Sequence, residues 1–371
     1  MHLQLGEGST IIVSSPEAAE QVLKKHDLVF AQRPNFYANQ IAGYDQSGLF
    51  FAPNDDSWRQ SRKICTVELL GAKQVRSFKS VREEEVEKLV VSIASSSGTS
   101  INLSEKILKT TNSIVSRSAF GNKCRGADDF CQALKDGNEC SSGFDLPDLF
   151  PSLKFLPLFS RTKPILEKDI FAGGTDTTTT TVEWAMAELL KNPKEMAKAQ
   201  AELRHVLEGK IKIHEEDTHE LRFLKQIVKE TLRLHPPGAL IPRESKEDCE
   251  INGFLIPRKT KAFINLWAIG RDPRHWRDPD CFIPDRFEES SVNYMGTNFQ
   301  YLPFGTGRRM CPGIAFGIIT TELQLATMLY HFNWELADGI KPEELDMTEA
   351  FGLSVKRTHP LNVIATPVPF A

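Results

Sequence analysis

Apolar residues along this chain recur mainly every three or four positions, which is the spacing of amphipathic α-helices. The clearest examples are Pro193–Val206, His219–His235 and Ile314–Phe332. Residues 81–122 and Val182–Leu190 also have a largely helical pattern. These segments predict a mainly α-helical protein.

Shorter segments have the pattern of β-strands. Residues 2–14 are predicted to form a hairpin that turns at Gly6-Glu7-Gly8, and Ser15-Pro16-Glu17 then has the cap, proline and acid of a helix start. Three further strands are predicted at Ile241–Glu244, Cys249–Ile256 and Lys261–Leu266. We therefore expect small β-sheets beside the helices.

Several ranges are predicted to be loops. They are the aromatic-rich residues 31–54, the serine-rich Ser92–Ser100, the proline-containing residues 124–160 and, mixed with strand, the chain after Asp338. The aromatic residues of 31–54 either close the core or line a substrate site, and the pattern leaves both open.

Length and composition exclude several classes of protein. With 371 residues and no repeat or long linker, the chain is predicted to be a single domain, residues 1–371. Forty-five Lys and Arg against 49 Asp and Glu give a net charge of −4, which argues against a general nucleic-acid binder. A basic cluster at Arg271, Arg274 and Arg277 is either a solvated face or a docking site for an acidic partner.

The seven cysteines form no CxxC pair and no zinc spacing, which fits a reducing compartment. No apolar run approaches the roughly 18 residues of a membrane span, and no secretory signal opens the sequence. We therefore expect neither a disulfide framework nor a membrane-spanning helix.

The strongest chemical candidate is Cys311, which lies in the glycine-rich turn Phe304–Gly313 just before a predicted helix. Pro312 suits the first helical position. The free N–H groups of a helix start, with Arg308 and Arg309 nearby, are expected to stabilise a thiolate, and the glycines of the turn leave room for something large or flat. A thiolate is a ligand for transition metals, although a lone Cys-Pro-Gly also fits a buried cysteine at an ordinary helix start.

The spacing Phe304-x-x-Gly307-x-Arg309-x-Cys311-x-Gly313 resembles the haem-binding loop of the cytochrome P450 monooxygenases at every fixed position. The resemblance runs from the first hairpin to the C-terminus and is greatest to the plant microsomal, clan 71-like group. It implies the mainly α, multihelical fold of that family with small β-sheets, and a haem b held by Phe304, Arg309, Cys311 and Gly313. Cys311 is then the iron ligand, and its thiolate pushes electron density toward O–O cleavage.

Two arginine motifs extend the resemblance. Trp58 and Arg62 lie four residues apart on one face of a predicted helix, where a surface cation stacked on an indole is the simple interpretation. The family has a Trp-x-x-x-Arg at which both residues meet a haem propionate. It places another propionate-binding arginine in the strand that contains Arg243. The resemblance therefore implies cofactor binding by Trp58, Arg62 and Arg243.

The string Gly173-Gly174-Thr175-Asp176-Thr177-Thr178 resembles the oxygen-groove motif of the same family. Its glycines and threonines predict a weak or kinked helix whose hydroxyls bond backbone carbonyls, or else a helix start capped by Asp176 or a threonine. The resemblance implies that Asp176 is the acid and Thr177 the alcohol of a proton relay to dioxygen.

Two more motifs carry expectations. Glu230 and Arg233 lie away from the apolar stripe of their helix, so the pattern alone predicts an exposed ion pair of little energetic value. The resemblance instead joins this Glu-x-x-Arg to Arg286 in Pro284–Phe287. It also places a substrate-contacting turn at Leu353–Val355.

The resemblance implies that the protein hydroxylates a small apolar specialised metabolite (a terpenoid, alkaloid or phenolic) with O2. Electrons would come from a separate NADPH-dependent flavoprotein reductase, and the expected location is the cytoplasmic face of the endoplasmic reticulum membrane. The family's N-terminal anchor and proline-rich hinge, and several helices between Lys168 and Asp169, have no counterpart in this sequence. The expected chain is therefore an N-terminally truncated haem domain with an internal deletion near 168/169, which leaves apolar surface exposed.

Two alternatives stay open from the sequence. One is a catalytically inactive, truncated haem-binding product. The other is a non-haem helical interaction protein whose basic cluster docks a partner.

Overall fold

The structure, a computed structural model, describes residues 1–37, 48–121, 146–150, 152, 172–352 and 354–369. The α-helices of these residues are α1 (Pro16–Glu20), α2 (Asp56–Ile64), α3 (Ala72–Ser77), α4 (Lys79–Ala94), α5 (Leu103–Phe120), α6 (Leu146–Leu149), α7 (Ala172–Lys191), α8 (Pro193–Val206), α9 (Arg222–Leu234), α10 (Leu266–Ile269) and α11 (Ile314–His331). The strands are β1 (His2–Leu5), β2 (Gly8–Val13), β3 (Ser100–Asn102), β4 (Leu240–Glu244), β5 (Cys249–Ile251), β6 (Phe254–Ile256), β7 (Lys261–Asn265), β8 (Phe332–Leu336), β9 (Glu349–Ala350), β10 (Lys356–Arg357) and β11 (Asn362–Pro367). The prediction of a mainly α fold with small sheets is confirmed.

The strands form four separate small sheets. The largest has the order β1-β2-β7-β4, in which β2 and β7 are parallel and the other neighbours antiparallel. A second sheet has the order β3-β11-β8, and the pairs β5-β6 and β9-β10 stand alone. Strands far apart in sequence therefore meet in the first sheet, and β4 brings Arg243 beside Ala262 of β7.

Helices α7 and α11 form the centre of the protein. Val182–Leu190 of α7 is buried at every position, and α11 is buried throughout from Thr320 to His331. A helix that is buried on all sides needs neighbours all round it, and α4, α5, α8 and α9 supply them. The main core therefore surrounds the two helices whose N-terminal ends carry the candidate motifs.

Local sequence signals predicted many element boundaries. The hairpin at residues 2–14 is present, and Ser15 caps α1 through its hydroxyl, which accepts the N–H of Ala18 at 3.3 Å. Helix α8 has the predicted bounds, and α9 ends before His235. These predictions are confirmed because caps, prolines and apolar periodicity act over a few residues.

Four local predictions are wrong in detail. Cys249–Ile256 is a hairpin and not one strand, because Asn252 and Gly253 adopt positive φ values of 51° and 81°. The loop predicted at Ser92–Ser100 is shorter, since α4 runs to Ala94 and β3 begins at Ser100. The first residue of α11 is Ile314 and not Pro312, because Gly313 is the N-cap.

The fourth correction concerns the alternative of a capped helix start at Asp176 or a threonine. Helix α7 is continuous from Ala172 to Lys191, so Asp176 lies inside the helix and is not its N-cap. Threonine hydroxyls bond backbone carbonyls as predicted, Thr177 to Gly173 at 2.6 Å and Thr181 to Thr177 at 2.9 Å. Burial against the core outweighs the low helix propensity of this segment.

Most of the predicted loop 124–160, and the proposed deletion point between Lys168 and Asp169, lie outside the described residues. Among the helices of the described residues, none is both long enough and apolar enough to cross a lipid bilayer.

Candidate functional site

The turn that contains Cys311 is closed by backbone hydrogen bonds. The N–H of Cys311 donates to the carbonyl of Phe304 at 2.9 Å, and the N–H of Met310 donates to Gly307 at 3.1 Å. The N–H of Gly313 then points at the Cys311 sulfur, with N and Sγ 3.4 Å apart. The sulfur is therefore held beside the first turn of α11.

Two glycines of this turn are required by its backbone. Gly305 and Gly307 have φ values of +67° and +68°, in the left-handed region that favours glycine. A Cβ on Gly307 would also lie 2.6 Å from Oδ1 of Asp27 and 2.9 Å from the carbonyl of Leu23. For Gly307, the group that approaches closely is therefore the chain itself and not a ligand.

Burial raises the pKa of the Cys311 thiol, which the Gly313 N–H and the charge of Arg62 only partly offset. The arginine whose charge lowers the pKa of this thiol is Arg62, and not Arg308 or Arg309, to which the sequence pointed. Arg308 pairs with Asp27, with Nε and Oδ2 3.2 Å apart, and Arg309 is turned toward backbone carbonyls. A cation bound at the sulfur would supply the stabilisation that the protein alone does not.

Trp58 and Arg62 lie on the same face of α2, as predicted, and both reach the Cys311 turn. Asp55 caps α2 by accepting the N–H of Trp58 at 2.7 Å, and the Trp58 indole donates to Leu49 at 2.9 Å. Arg62 donates to the carbonyl of Met310. The cation that stacks on the indole is Arg309, 3.9 Å from the ring centroid, and not Arg62.

Three arginines are buried next to this turn without a carboxylate partner. Arg33 is 7% exposed, Arg243 2% and Arg309 8%, and in the described part of the chain none of them forms an ion pair. Arg33 and Arg309 donate to backbone carbonyls, and the buried Nη1 of Arg309 has no hydrogen-bond partner among the residues that the structure describes. A buried guanidinium without a counter-charge is costly, so the cluster is arranged for an anion.

The electrostatics of these arginines agree with that conclusion. Burial and the charge of Arg309 lower the pKa of Arg243 to about 9. Burial, followed by the charge of Arg62, lowers the pKa of Arg309 to about 10. The pKa of Arg33 lies well below its ordinary value because of burial and its two arginine neighbours. Sequence reasoning missed Arg33; its signal was an Arg-Pro step inside the aromatic-rich loop 31–54.

Asp176 and Thr177 are adjacent in α7 but have different surroundings. Asp176 is 4% exposed, accepts a hydrogen bond from Ser354 and pairs with Lys356. Thr177 is exposed, and its hydroxyl is bound to the carbonyl of Gly173. In this arrangement the two proposed relay residues are not hydrogen-bonded to each other.

The motif of Glu230 is buried, so the pattern-based prediction of an exposed pair is wrong. The Glu230 carboxylate accepts hydrogen bonds from Arg233 at 2.7 and 2.8 Å and from Arg286 at 2.9 Å. Arg233 also donates a hydrogen bond to the carbonyl of Gly270 at 2.6 Å. The triad expected from the family resemblance is therefore present. It ties α9 to the segment 270–287, because each charge is both paired and hydrogen-bonded.

The predicted substrate turn is only partly described. Leu353 lies outside the described residues, whereas Ser354 and Val355 are 1% and 3% exposed. Val355 donates its N–H to Pro237 at 2.9 Å and accepts the indole N–H of Trp184 at 3.0 Å. These two residues therefore anchor the turn to the core.

The donor set fits a haem. A sulfur beside a helix start suits an iron ligand, and the buried arginines, which form no ion pair among the described residues, suit carboxylates such as the two propionates. Phe304 and Gly313 flank the sulfur in the closed turn. The described residues at this site thus supply a sulfur for a metal and guanidinium donors for carboxylates.

Comparisons with known proteins agree with this geometry. The family model described as Cytochrome P450 matches residues 1–168 and 164–362 of the chain. The chain is 45% identical over 430 residues to the desmethyl-deoxy-podophyllotoxin synthase of Sinopodophyllum hexandrum. This alignment covers 99% of this chain and 85% of that protein. It is 42% identical over 429 residues to the premnaspirodiene oxygenase of Hyoscyamus muticus, covering 99% and 86%.

Among solved structures, a zebra fish cytochrome P450 with progesterone matches with a TM-score of 0.81 and 22% identity, covering 99% of this chain and 96% of that chain. At this identity the likeness shows the fold alone. The alignment of 430 residues with the Sinopodophyllum enzyme is longer than this chain of 371 residues. At least 59 of its positions therefore have a residue in the relative and none here.

Proposed function

Because the chain belongs to the cytochrome P450 family, within its plant clan 71 group, and is thus a monooxygenase of the oxidoreductase class, we propose that it uses a haem b ligated by the Cys311 thiolate. With this cofactor it would hydroxylate a small apolar specialised metabolite. The names of relatives, which contain podophyllotoxin, melianol and premnaspirodiene, support a small specialised metabolite as the substrate, and we propose a terpenoid, alkaloid or phenolic.

The observation that carries the proposal is the cluster of buried arginines beside Cys311, none of which forms an ion pair with a carboxylate of the described residues. Arg243 and Arg309, with Trp58 and Arg62 of α2, would hold the haem propionates, and Arg33 would add a further donor. The propionates would supply the negative charge that this cluster lacks, so haem binding would relieve a cost that the ligand-free chain carries. When bound, haem supplies oxygen activation, which thiolate ligation favours.

Residues of α7 would then handle protons. Asp176 is a buried carboxylate, and Thr177, the next residue, has an exposed hydroxyl. A carboxylate and a hydroxyl are side-chain groups suited to moving a proton from the protein to the haem site. Phe304 and Gly313 would shape the surroundings of the sulfur. The organic chemistry would belong to the cofactor, and the chain would supply ligation, orientation and charge.

Family membership implies a redox partner and O2. We propose a separate NADPH-dependent flavoprotein reductase as the electron donor, and the cytoplasmic face of the endoplasmic reticulum membrane as the location. The alternative role of the basic cluster as a docking site is weakened by its contacts. Arg274 pairs with Asp272, and Arg271 stacks on Trp267 at 4.1 Å and donates to Leu234 at 2.6 Å.

We also propose that the chain is one haem domain from which a block of helices before Asp169 is missing. The alignment positions without a residue here, and the break of the family match at residues 164–168, support this. Gly173, Gly174 and Thr177 are exposed at the beginning of α7, and Phe120 at the end of the neighbouring α5 is 58% exposed. The missing helices would cover this region.

The test is the absorption spectrum of the purified chain with haem, reduced and exposed to carbon monoxide. The parent should give the Soret shift of a thiolate-ligated haem, Cys311→Ser should lose it, and Cys281→Ser should keep it, because Cys281 is an exposed thiol. Haem uptake without the thiolate band would favour the inactive haem-binding alternative. No uptake by a cooperatively folded chain would favour the non-haem interaction protein.

A further inference from the structure

The segment 354–357, which we call the C-terminal clip, lies along α7 and contacts it at several points. The carbonyl of Val355 accepts the Trp184 indole N–H at 3.0 Å. Nε of Arg357 lies 3.9 Å from a carboxylate oxygen of Glu183. Because the residues on both sides of Lys356 are fixed to α7, the backbone of Lys356 is fixed as well.

Lys356 directs its ammonium group at Asp176. It contacts Oδ1 of the Asp176 carboxylate, while the Ser354 hydroxyl donates to Oδ2. The Asp176 side chain is 6% exposed and that of Lys356 21%, so solvent screens this pair far less than a surface pair. Without Lys356, a buried carboxylate would lose its counter-charge, which is unfavourable.

The contact matters because Asp176 is turned toward the clip, whereas Thr177 is exposed on α7. Neighbouring residues of a helix do not face each other, so the orientation of Asp176 depends on its tertiary partners. Those partners are Lys356 and Ser354, both in the clip. A residue 180 positions away in the sequence thus holds the proposed acid.

We propose that Lys356 is a positioning residue of the monooxygenase reaction, whose ammonium fixes the orientation of the Asp176 carboxylate. This inference rests on the proposed function of the haem site. With Lys356 removed, Asp176 is less able to deliver protons productively. A larger share of the O2 is then released as hydrogen peroxide. Each O2 released in this way takes two electrons from NADPH, through the reductase, and two protons from solvent.

The experiment compares five holoprotein variants with the parent. Lys356→Met removes the charge, Lys356→Arg restores it, and Asp176→Asn and the double variant Lys356→Met/Asp176→Asn complete a cycle. Lys191→Met is the matched control, because Lys191 is an exposed lysine at the end of the same helix. Two quantities are measured: the urea midpoint of unfolding, and the hydrogen peroxide released per NADPH consumed with the reductase present.

We expect Lys356→Met and Asp176→Asn each to lower the urea midpoint and the double variant to lower it no further than either single change. We expect the peroxide ratio to rise about twofold or more in Lys356→Met and to return toward the parental value in Lys356→Arg, with Lys191→Met unchanged. If the double variant lowers the urea midpoint by the sum of the two single changes, the contact between Lys356 and Asp176 is refuted. Non-additive midpoints with an unchanged peroxide ratio would show a structural pair and overturn the positioning role.

The carbon monoxide spectrum separates this failure from failure of the proposed function. If the parent shows no thiolate-type band, the monooxygenase proposal fails and the positioning role fails with it. The urea cycle in that case still reports whether the two side chains interact. If the band is present and Lys356→Met keeps it, a change in the peroxide ratio belongs to Lys356 and not to lost haem.

Discussion

Replacing Arg243 by methionine should stabilise the haem-free chain and weaken its hold on haem. Arg243 is 2% exposed in β4, and its described hydrogen bond is to the carbonyl of the preceding Pro242, at 3.1 Å. Methionine keeps the apolar stem and removes the charge. If Arg243 had a purely structural role, its replacement would instead lower the free energy of unfolding of the haem-free chain.

The magnitude follows from the pKa of Arg243. Burial and the charge of Arg309 lower this pKa to about 9, more than three pH units below the ordinary value of a guanidinium. At 1.36 kcal/mol per pH unit, holding the charge costs about 5 kcal/mol in the ligand-free chain at neutral pH. Methionine loses one hydrogen bond and some packing, so we expect a net gain of about 1–3 kcal/mol in the free energy of unfolding.

The direction in which the stability of the chain changes with pH can be measured as well. The folded chain releases the Arg243 proton at a lower pH than the unfolded chain, so its stability should rise with pH above about 9. Below that pH both states carry the proton, and the cost is constant. The advantage of Arg243→Met should therefore be largest at neutral pH and shrink above pH 9.

The assay is urea unfolding of the haem-free chain, with haem titration followed by the Soret band. Arg258→Met is the matched control, because Arg258 is exposed. We expect Arg243→Met to unfold at higher urea than the parent and to bind haem about tenfold or more weakly. A variant that is less stable without haem and binds haem normally would refute the anion-site reasoning.

Three further predictions concern single residues. Burial raises the pKa of Glu322 to about 7, so the folded chain holds this proton to a higher pH than the unfolded chain does. The free energy of unfolding should therefore fall by about 3 kcal/mol as the pH rises from 4.5 to 8. Glu322→Gln should remove that fall. Gly307→Ala should cost about 1–3 kcal/mol in urea unfolding, because it combines a positive φ with a Cβ 2.6 Å from Asp27. Arg286→Met should cost about 1.5–3 kcal/mol, since it removes one hydrogen-bonded cation from buried Glu230, which keeps Arg233.

The exposed Glu335 of β8 supplies the control for Glu322, and Glu335→Gln should leave the pH dependence unchanged. Gly209→Ala is the control for Gly307, because its φ of +75° is also positive but no atom lies within 4 Å of an added Cβ. An equal loss in both glycine variants would remove the role assigned to Asp27. A loss below about 1 kcal/mol in Arg286→Met would contradict the buried triad.

The sequence predicted well the features that depend on short-range physics. The hairpin at residues 2–14, the Ser15 cap and the bounds of α8 all follow from turn residues, capping groups and apolar periodicity. The motif spacing around Cys311 was enough to indicate the family, which the comparisons bear out. Where a local rule failed, as at Asp176 inside α7, packing against the core had outweighed propensity.

Burial and charge were decided only by the tertiary structure. Arg33, Arg243 and Arg309 come from three distant segments, and nothing in their local sequence shows that they are buried together without a carboxylate. The same holds for Glu230, which the pattern placed at the surface, and for Lys356, which reaches Asp176 across most of the C-terminal half. Propensity acts over a few residues, whereas desolvation and ion pairing depend on which distant groups meet, and that is decided by the folded chain.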